Sequence, residues 1–112
     1  MRHAVLVVAG VVLLSAAVIS AQDPKQVEAG KQLFSSKQCV KCHQIEGRGN
    51  KVNKLDGVAS KVSADDMKKW LTNPKEMEAK LDHKPKITMS SKKAPLTAAE
   101  VDSLVAYLQT LK

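Results

Sequence analysis

Cys39, Cys42 and His43 fall within five positions of a 112-residue chain, and the two cysteines are the only ones it has. Three chemistries would explain such a cluster: a disulfide, half of a metal site, or covalent attachment of haem. A disulfide across two intervening residues would staple almost nothing, because the stabilisation grows with loop length. A thioredoxin-like redox pair sits near a βαβ unit, and no such unit is legible here. A structural zinc site takes four protein ligands. Apart from His3 near the N-terminus, the Cys and His candidates are Cys39, Cys42, His43 and His83. The adjacency of Cys42 and His43 is an awkward spacing for one tetrahedral ion. Cys-x-x-Cys-His, by contrast, is the attachment signature of c-type haem. Two thiols at this spacing add to the two vinyl groups at one edge of the porphyrin. The imidazole beside the second thioether is then held under the iron as an axial ligand.

A sixth ligand would come from His83 or from Met67, Met77 or Met89. Methionine is ordinarily a gap-filler in cores, and Met67 and Met77 fit that role, each four residues after a helix cap. Met89 has no helical stripe to join: it lies in "KPKITMSSKKAP", among polar and charged neighbours. A soft thioether there suits haem iron opposite histidine, an arrangement that raises the potential. His83, in "LDHKPK", reads as a solvated loop residue.

These residues need elements to position them, and the helix starts are legible. In "DPKQVEAGKQLF" Asp23 is the N-cap, Pro24 the first helical residue, and Gln26 is placed to reach back to the cap. Val27, Gly30, Leu33 and Phe34 share one face. A glycine there costs about 1 kcal/mol against alanine, which points to another backbone coming close. In "VSADDMKKWL" Ser63 caps, Asp65 and Asp66 suit the first turn, and Val62 staples to Met67. Pro74 ends that helix, and a short one restarts with Asn73 as cap and Glu76 closing a capping box. "LTAAEVDSLVAYLQTLK" is the clearest helix, with Thr97 and Glu100 as the box, a Leu96–Val101 staple and a stripe of Val101, Leu104, Val105, Leu108 and Leu111. "HQIEGRGNKVNKLDGVASK" and "DHKPKITMSSKKAP" read as loops. No segment shows convincing strand alternation.

The N-terminus has the layout of a secretory signal peptide: Arg2, an uncharged apolar run of 16 residues from Ala4 to Ile19, then Ser20 and Ala21. The run falls short of the roughly 20 residues that span a bilayer. Residues 1–21 are expected to be cleaved, giving a periplasmic or otherwise exported protein. Removing 21 of 112 residues leaves 91, a single domain over 22–112. A chain of that length buries only about 60–65% of its unfolded surface. With Phe34, Trp70 and Tyr107 as its only aromatics, it needs apolar mass from a bound group. Loss of Arg2 lowers the net charge from +7 to +6, and the excess is almost all lysine. That balance suits acidic partners. There is no nucleic-acid motif and no internal repeat.

The chain resembles the class I c-type cytochromes in their small, soluble, periplasmic single-haem form. The carriers are "AGKQLF", "CVKCH", "LDGV", "WLTNPKEM", Met89 and the final "LVAYLQTLK". The resemblance implies an all-α fold in which the N- and C-terminal helices cross, with one or two shorter helices and long loops around a covalent haem. Gly30 and Phe34 would meet Leu104 and Tyr107 at the crossing. It implies one haem c per chain, attached through Cys39 and Cys42, with iron bound by His43 and Met89. The implied function is that of an electron carrier, not an enzyme, and of a monomer that meets a reductase and an oxidase or dehydrogenase. The rivals are a haem enzyme or gas sensor with a labile sixth ligand, and a membrane-tethered cytochrome subunit. One departure stands out: relatives carry a proline just before the leucine of "LDGV", and this chain has Lys54. The loop is expected to be less stiff there, with Lys54 or Asn53 supplying the carbonyl that orients the axial histidine. Lys37, Lys41, Lys51, Lys54, Lys92 and Lys93 are expected to ring the haem edge.

Overall fold

A computed structural model describes residues 22–112. The expected signal peptide lies outside these residues. Five helices carry the fold: α1 (Pro24–Ser36), α2 (Ala64–Thr72), α3 (Pro74–Glu78), α4 (Met89–Lys92) and α5 (Ala98–Leu108). Between α1 and α2 the chain forms a 3-10 turn at Cys39–Lys41 and three very short strands: β1 (His43–Ile45), β2 (Arg48–Gly49) and β3 (Asn53–Lys54). Among the described residues no helix is long and apolar enough to cross a membrane.

Helices α1 and α5 make the most extensive contact, and Gly30 sits at its centre. A Cβ on Gly30 would lie 2.0 Å from the Ser103 carbonyl oxygen and 2.7 Å from Tyr107 Cβ. Only a residue without a side chain allows the two backbones this close. One turn on, Phe34 meets Tyr107 edge to face, with ring centroids 6.3 Å apart at 68°. The expected crossing is therefore present. The core grows outward from it through Val101, Leu104, Leu108 and Leu111 to Met67 and Leu71 of α2.

The caps explain where the helices begin. Asp23 accepts from the Lys25 N–H at 3.0 Å, and Ser63 from the Asp66 N–H at 3.2 Å. Thr97 and Glu100 form the complete capping box, with bonds of 3.2 and 2.9 Å. Two expected details differ. At α1 the cap bond is made by Asp23 alone, with no bond back from Gln26. At α3 Asn73 makes no cap bond, and its side-chain amide donates to Glu76 Oε2 at 3.0 Å. The two side chains satisfy each other, so neither reaches the backbone.

The small sheet is the feature the pattern concealed. β1 pairs antiparallel with β2 and parallel with β3. Strands of two or three residues are too short to show alternation. The β1–β2 hairpin turns on Glu46 and Gly47, with φ of 50° and 77°, the double left-handed geometry that matches strand twist. The Glu46 N–H donates to Asp56 Oδ1 at 2.8 Å, fixing the hairpin to the "LDGV" stretch.

Candidate haem site

The Cys39–Lys41 turn positions the motif. A 3-10 turn has three residues per repeat, so positions i and i+3 line up. The Cys42 N–H donates to the Cys39 carbonyl at 3.1 Å and closes that repeat. Both cysteines thereby stand on one side of the turn, as attachment to two neighbouring vinyl groups requires. The two are not joined to each other by a disulfide; Cys39 is half-buried and Cys42 exposed. Burial pushes the Cys39 thiol up, opposed by its backbone environment and by the Lys93 ammonium. Among the described residues no three His, Cys, Asp or Glu side chains converge as a metal cluster.

The backbone after the motif folds back to lock it. The Asn50 N–H is shared between the carbonyls of Val40 (3.0 Å) and His43 (3.1 Å), and its side-chain amide donates to the Lys41 carbonyl at 3.1 Å. Gly49 lets this happen: a Cβ there would lie 2.1 Å from the His43 carbonyl oxygen, and its φ is +102°. Sequence reasoning missed both residues. Their only signal was the Gly- and Asn-rich composition of what read as a plain loop.

His43 is half-buried in β1, opposite Asn53 of β3. Burial lowers its pKa, and the Asn53 backbone opposes the shift by favouring the protonated ring. That contact falls outside regular hydrogen-bond geometry, and Nδ1 is a buried side-chain atom without a hydrogen-bond partner. Nε2 makes no hydrogen bond either. The burial therefore favours the neutral imidazole over the charged one, and the neutral form is the one that ligates a metal. Of the two residues expected to supply an orienting carbonyl, Asn53 is the one opposite His43 in the strand register. Lys54 takes part in strand pairing with Gln44, so the segment that lacks the proline is held by the sheet.

Met89 lies forty-six positions beyond His43 in the sequence. The structure places it at the start of the single-turn helix α4, where an irregular loop was expected, because the Lys93 N–H closes one turn onto the Met89 carbonyl at 2.8 Å. Its side chain and that of Cys39 are both half-buried and pack against the same core cluster. The influence of Lys93 on the Cys39 thiol brings the same two segments together. Met67 and Met77 are buried, at 3% and 7% exposure, in the gap-filling role expected of them. His83 is exposed.

Leu55, Val58, Val62 and Leu96, like Cys39 and Met89, are among the half-exposed apolar side chains packed against the core. A flat apolar macrocycle suits such a border, with two cysteines one 3-10 repeat apart, an imidazole next to the second in sequence, and a thioether packed against the same core. The sequence model of the cytochrome c family matches residues 27–112. The chain belongs to the cytochrome c family. Searches of curated proteins and of solved structures returned no match. As a class I c-type cytochrome, it binds haem c covalently, with iron, and its role is haem-based electron transfer.

Proposed function

We propose that this cytochrome is an exported, single-haem electron shuttle and not an enzyme, with thioether links at Cys39 and Cys42 and axial ligation by His43 and Met89. The haem supplies the one-electron change. The protein's part is to hold both axial donors and to keep other ligands away. The observation that carries the reading is that Met89 and the Cys39 turn pack against one core cluster, while Met67 is part of that core and Met77 is buried. With both axial places taken by protein groups, a substrate could reach the metal only by displacing Met89. That favours a carrier over a haem enzyme or gas sensor.

Partner recognition follows from charge. Lys41, Lys51, Lys54 and Lys92 are exposed, and they come from the motif, the loop after it and the Met89 segment. Lys37 is drawn into an ion pair with Glu100 at 3.1 Å, and Lys93 Nζ donates to the Ala94 carbonyl at 3.1 Å. The four free lysines are thus the docking set for an acidic reductase and for an acidic oxidase or dehydrogenase. Complementary charge raises association rates.

The test is the ferric absorption spectrum of two variants. Met89→Ala should abolish the thioether-to-iron band and lower the potential, whereas Met77→Ala should keep the band and lose stability, by about 2–5 kcal/mol for a buried methionine. The opposite pattern would remove Met89 from the site.

A further inference from the structure

Glu78, the last residue of α3, is the one buried polar or charged side chain among the described residues, 9% exposed. No lysine or arginine forms an ion pair with it among the described residues. Both of its carboxylate oxygens are used on a single residue twelve positions away: Oε1 accepts from the Ser90 N–H at 2.8 Å, and Oε2 from the Ser90 hydroxyl at 2.7 Å. The Ser90 N–H belongs to the peptide that follows Met89.

This grip replaces something that is missing. A helix of one turn is not stable by itself, because nucleation costs more than one turn returns. The residue before α4, Thr88, makes no side-chain cap bond to the helix backbone. Its hydroxyl is occupied with the hydroxyls of Ser90 and Ser91, at 3.2 and 3.0 Å. The carboxylate of Glu78, delivered from another helix, does the work of the cap. Burying a carboxylate is costly unless it is fully hydrogen-bonded, and charge-assisted bonds are roughly twice as strong as neutral ones. The arrangement therefore concentrates a strong, specific restraint on one peptide unit, the one adjoining Met89.

We propose that Glu78 is the positioning residue for Met89: by holding Ser90 through its N–H and its hydroxyl, it keeps the thioether in place and sets how easily an outside ligand displaces it. The inference rests on the reading of Met89 as the sixth ligand. Glu78 touches no reacting atom, and its effect runs through the backbone of residues 89–90.

Imidazole added to the ferric holoprotein reports on this directly, since it binds only when the thioether leaves. Glu78→Ala should lower the imidazole concentration for half-saturation by about tenfold, the fold-change expected for loss of a charged hydrogen bond. Ser90→Ala, which keeps the N–H and removes the hydroxyl, should move it the same way by less. Asp23→Ala, which removes the cap of α1 away from this segment, should lower the melting temperature and leave imidazole affinity at the wild-type value. Unchanged affinity in Glu78→Ala and Ser90→Ala, or an equal shift in Asp23→Ala, would overturn the proposal. If Glu78→Ala yields no holoprotein, Ser90→Ala against Asp23→Ala decides. A wild type without the thioether band, or a Met89→Ala protein that retains it, removes the ligand reading itself. That failure is seen before any imidazole is added.

Discussion

Helices α1 and α5 meet backbone to backbone, through a glycine, over a wide apolar contact. The Met89 turn is tied to α3 mainly by two bonds to one carboxylate. At the crossing, each helix has its own side-chain cap, and the partners are rigid groups: a carbonyl, a ring edge, a Cβ. In the segment from Lys80 to Pro95 helical structure is limited to α4, with Leu81 and Ile87 left 40% and 65% exposed. Few buried apolar contacts and few regular hydrogen bonds mark a region of low local stability. The comparison teaches a division of labour. The crossing supplies the free energy of folding and has little to do with which ligand holds the metal. The Met89 segment contributes little to the fold and, under the ligation proposed above, would control the sixth position. Variants in the two regions should therefore separate stability from ligand spectroscopy.

The largest effect should come from the crossing. Leu104 is 1% exposed at the centre of the core. Leu104→Ala should destabilise the holoprotein by about 2–5 kcal/mol, measured by chemical denaturation, while the folded fraction keeps a wild-type thioether band. A band lost in step with stability would show that the two regions are not separable. Gly30→Val comes next. Its Cβ would overlap the Ser103 carbonyl, a backbone atom that cannot move aside cheaply. Overpacking of this kind costs about 1–3 kcal/mol. Removing a helical glycine returns at most about 1 kcal/mol of propensity, so the net effect should be a loss. If Gly30→Val were neutral, the closeness of the two backbones would not be what holds the crossing.

The same contrast explains what could be read from the sequence. The crossing was legible because its causes are local: caps within three residues, a 3.6-residue stripe, and a glycine out of place on an apolar face. The Cys39–His43 motif was legible because its chemistry is fixed by spacing. What holds these pieces was not. Asn50 locks the motif through backbone carbonyls that any residue would supply. Strands of two residues leave no periodicity, so the sheet that compensates for Lys54 was read as loop. Glu78 follows Met77 in what looks like an ordinary charged end of a short helix, and nothing near it in sequence announces Ser90. Nothing near Lys37 announces its ion pair with Glu100, which is remote in sequence and was already assigned to a cap. Each miss is a pairing across many residues between side chains of common type.

The smallest prediction concerns that last pairing, on the rim of the crossing. Glu100 serves twice: it accepts from the Thr97 N–H to close the box, and it pairs with Lys37 at the end of α1. The Thr97 N–H, and after it the Lys37 ammonium, hold its carboxyl below the usual carboxylate range. A carboxyl whose pKa is lower in the folded than in the unfolded chain contributes stability above the unfolded value and loses it as pH falls through the folded one. Glu100→Gln keeps the shape of the box and removes the charge, so it should melt lower than the wild type at neutral pH. The gap should close as the pH drops through the acid limb, because both proteins then carry a neutral group at this position. The other carboxyls, common to both, cancel in the difference. High salt at neutral pH should narrow the gap too, since the pair is exposed enough to be screened. A gap that stays constant with pH and salt would assign the effect to hydrogen-bond geometry alone, and the ion pair would then contribute nothing to joining α1 and α5.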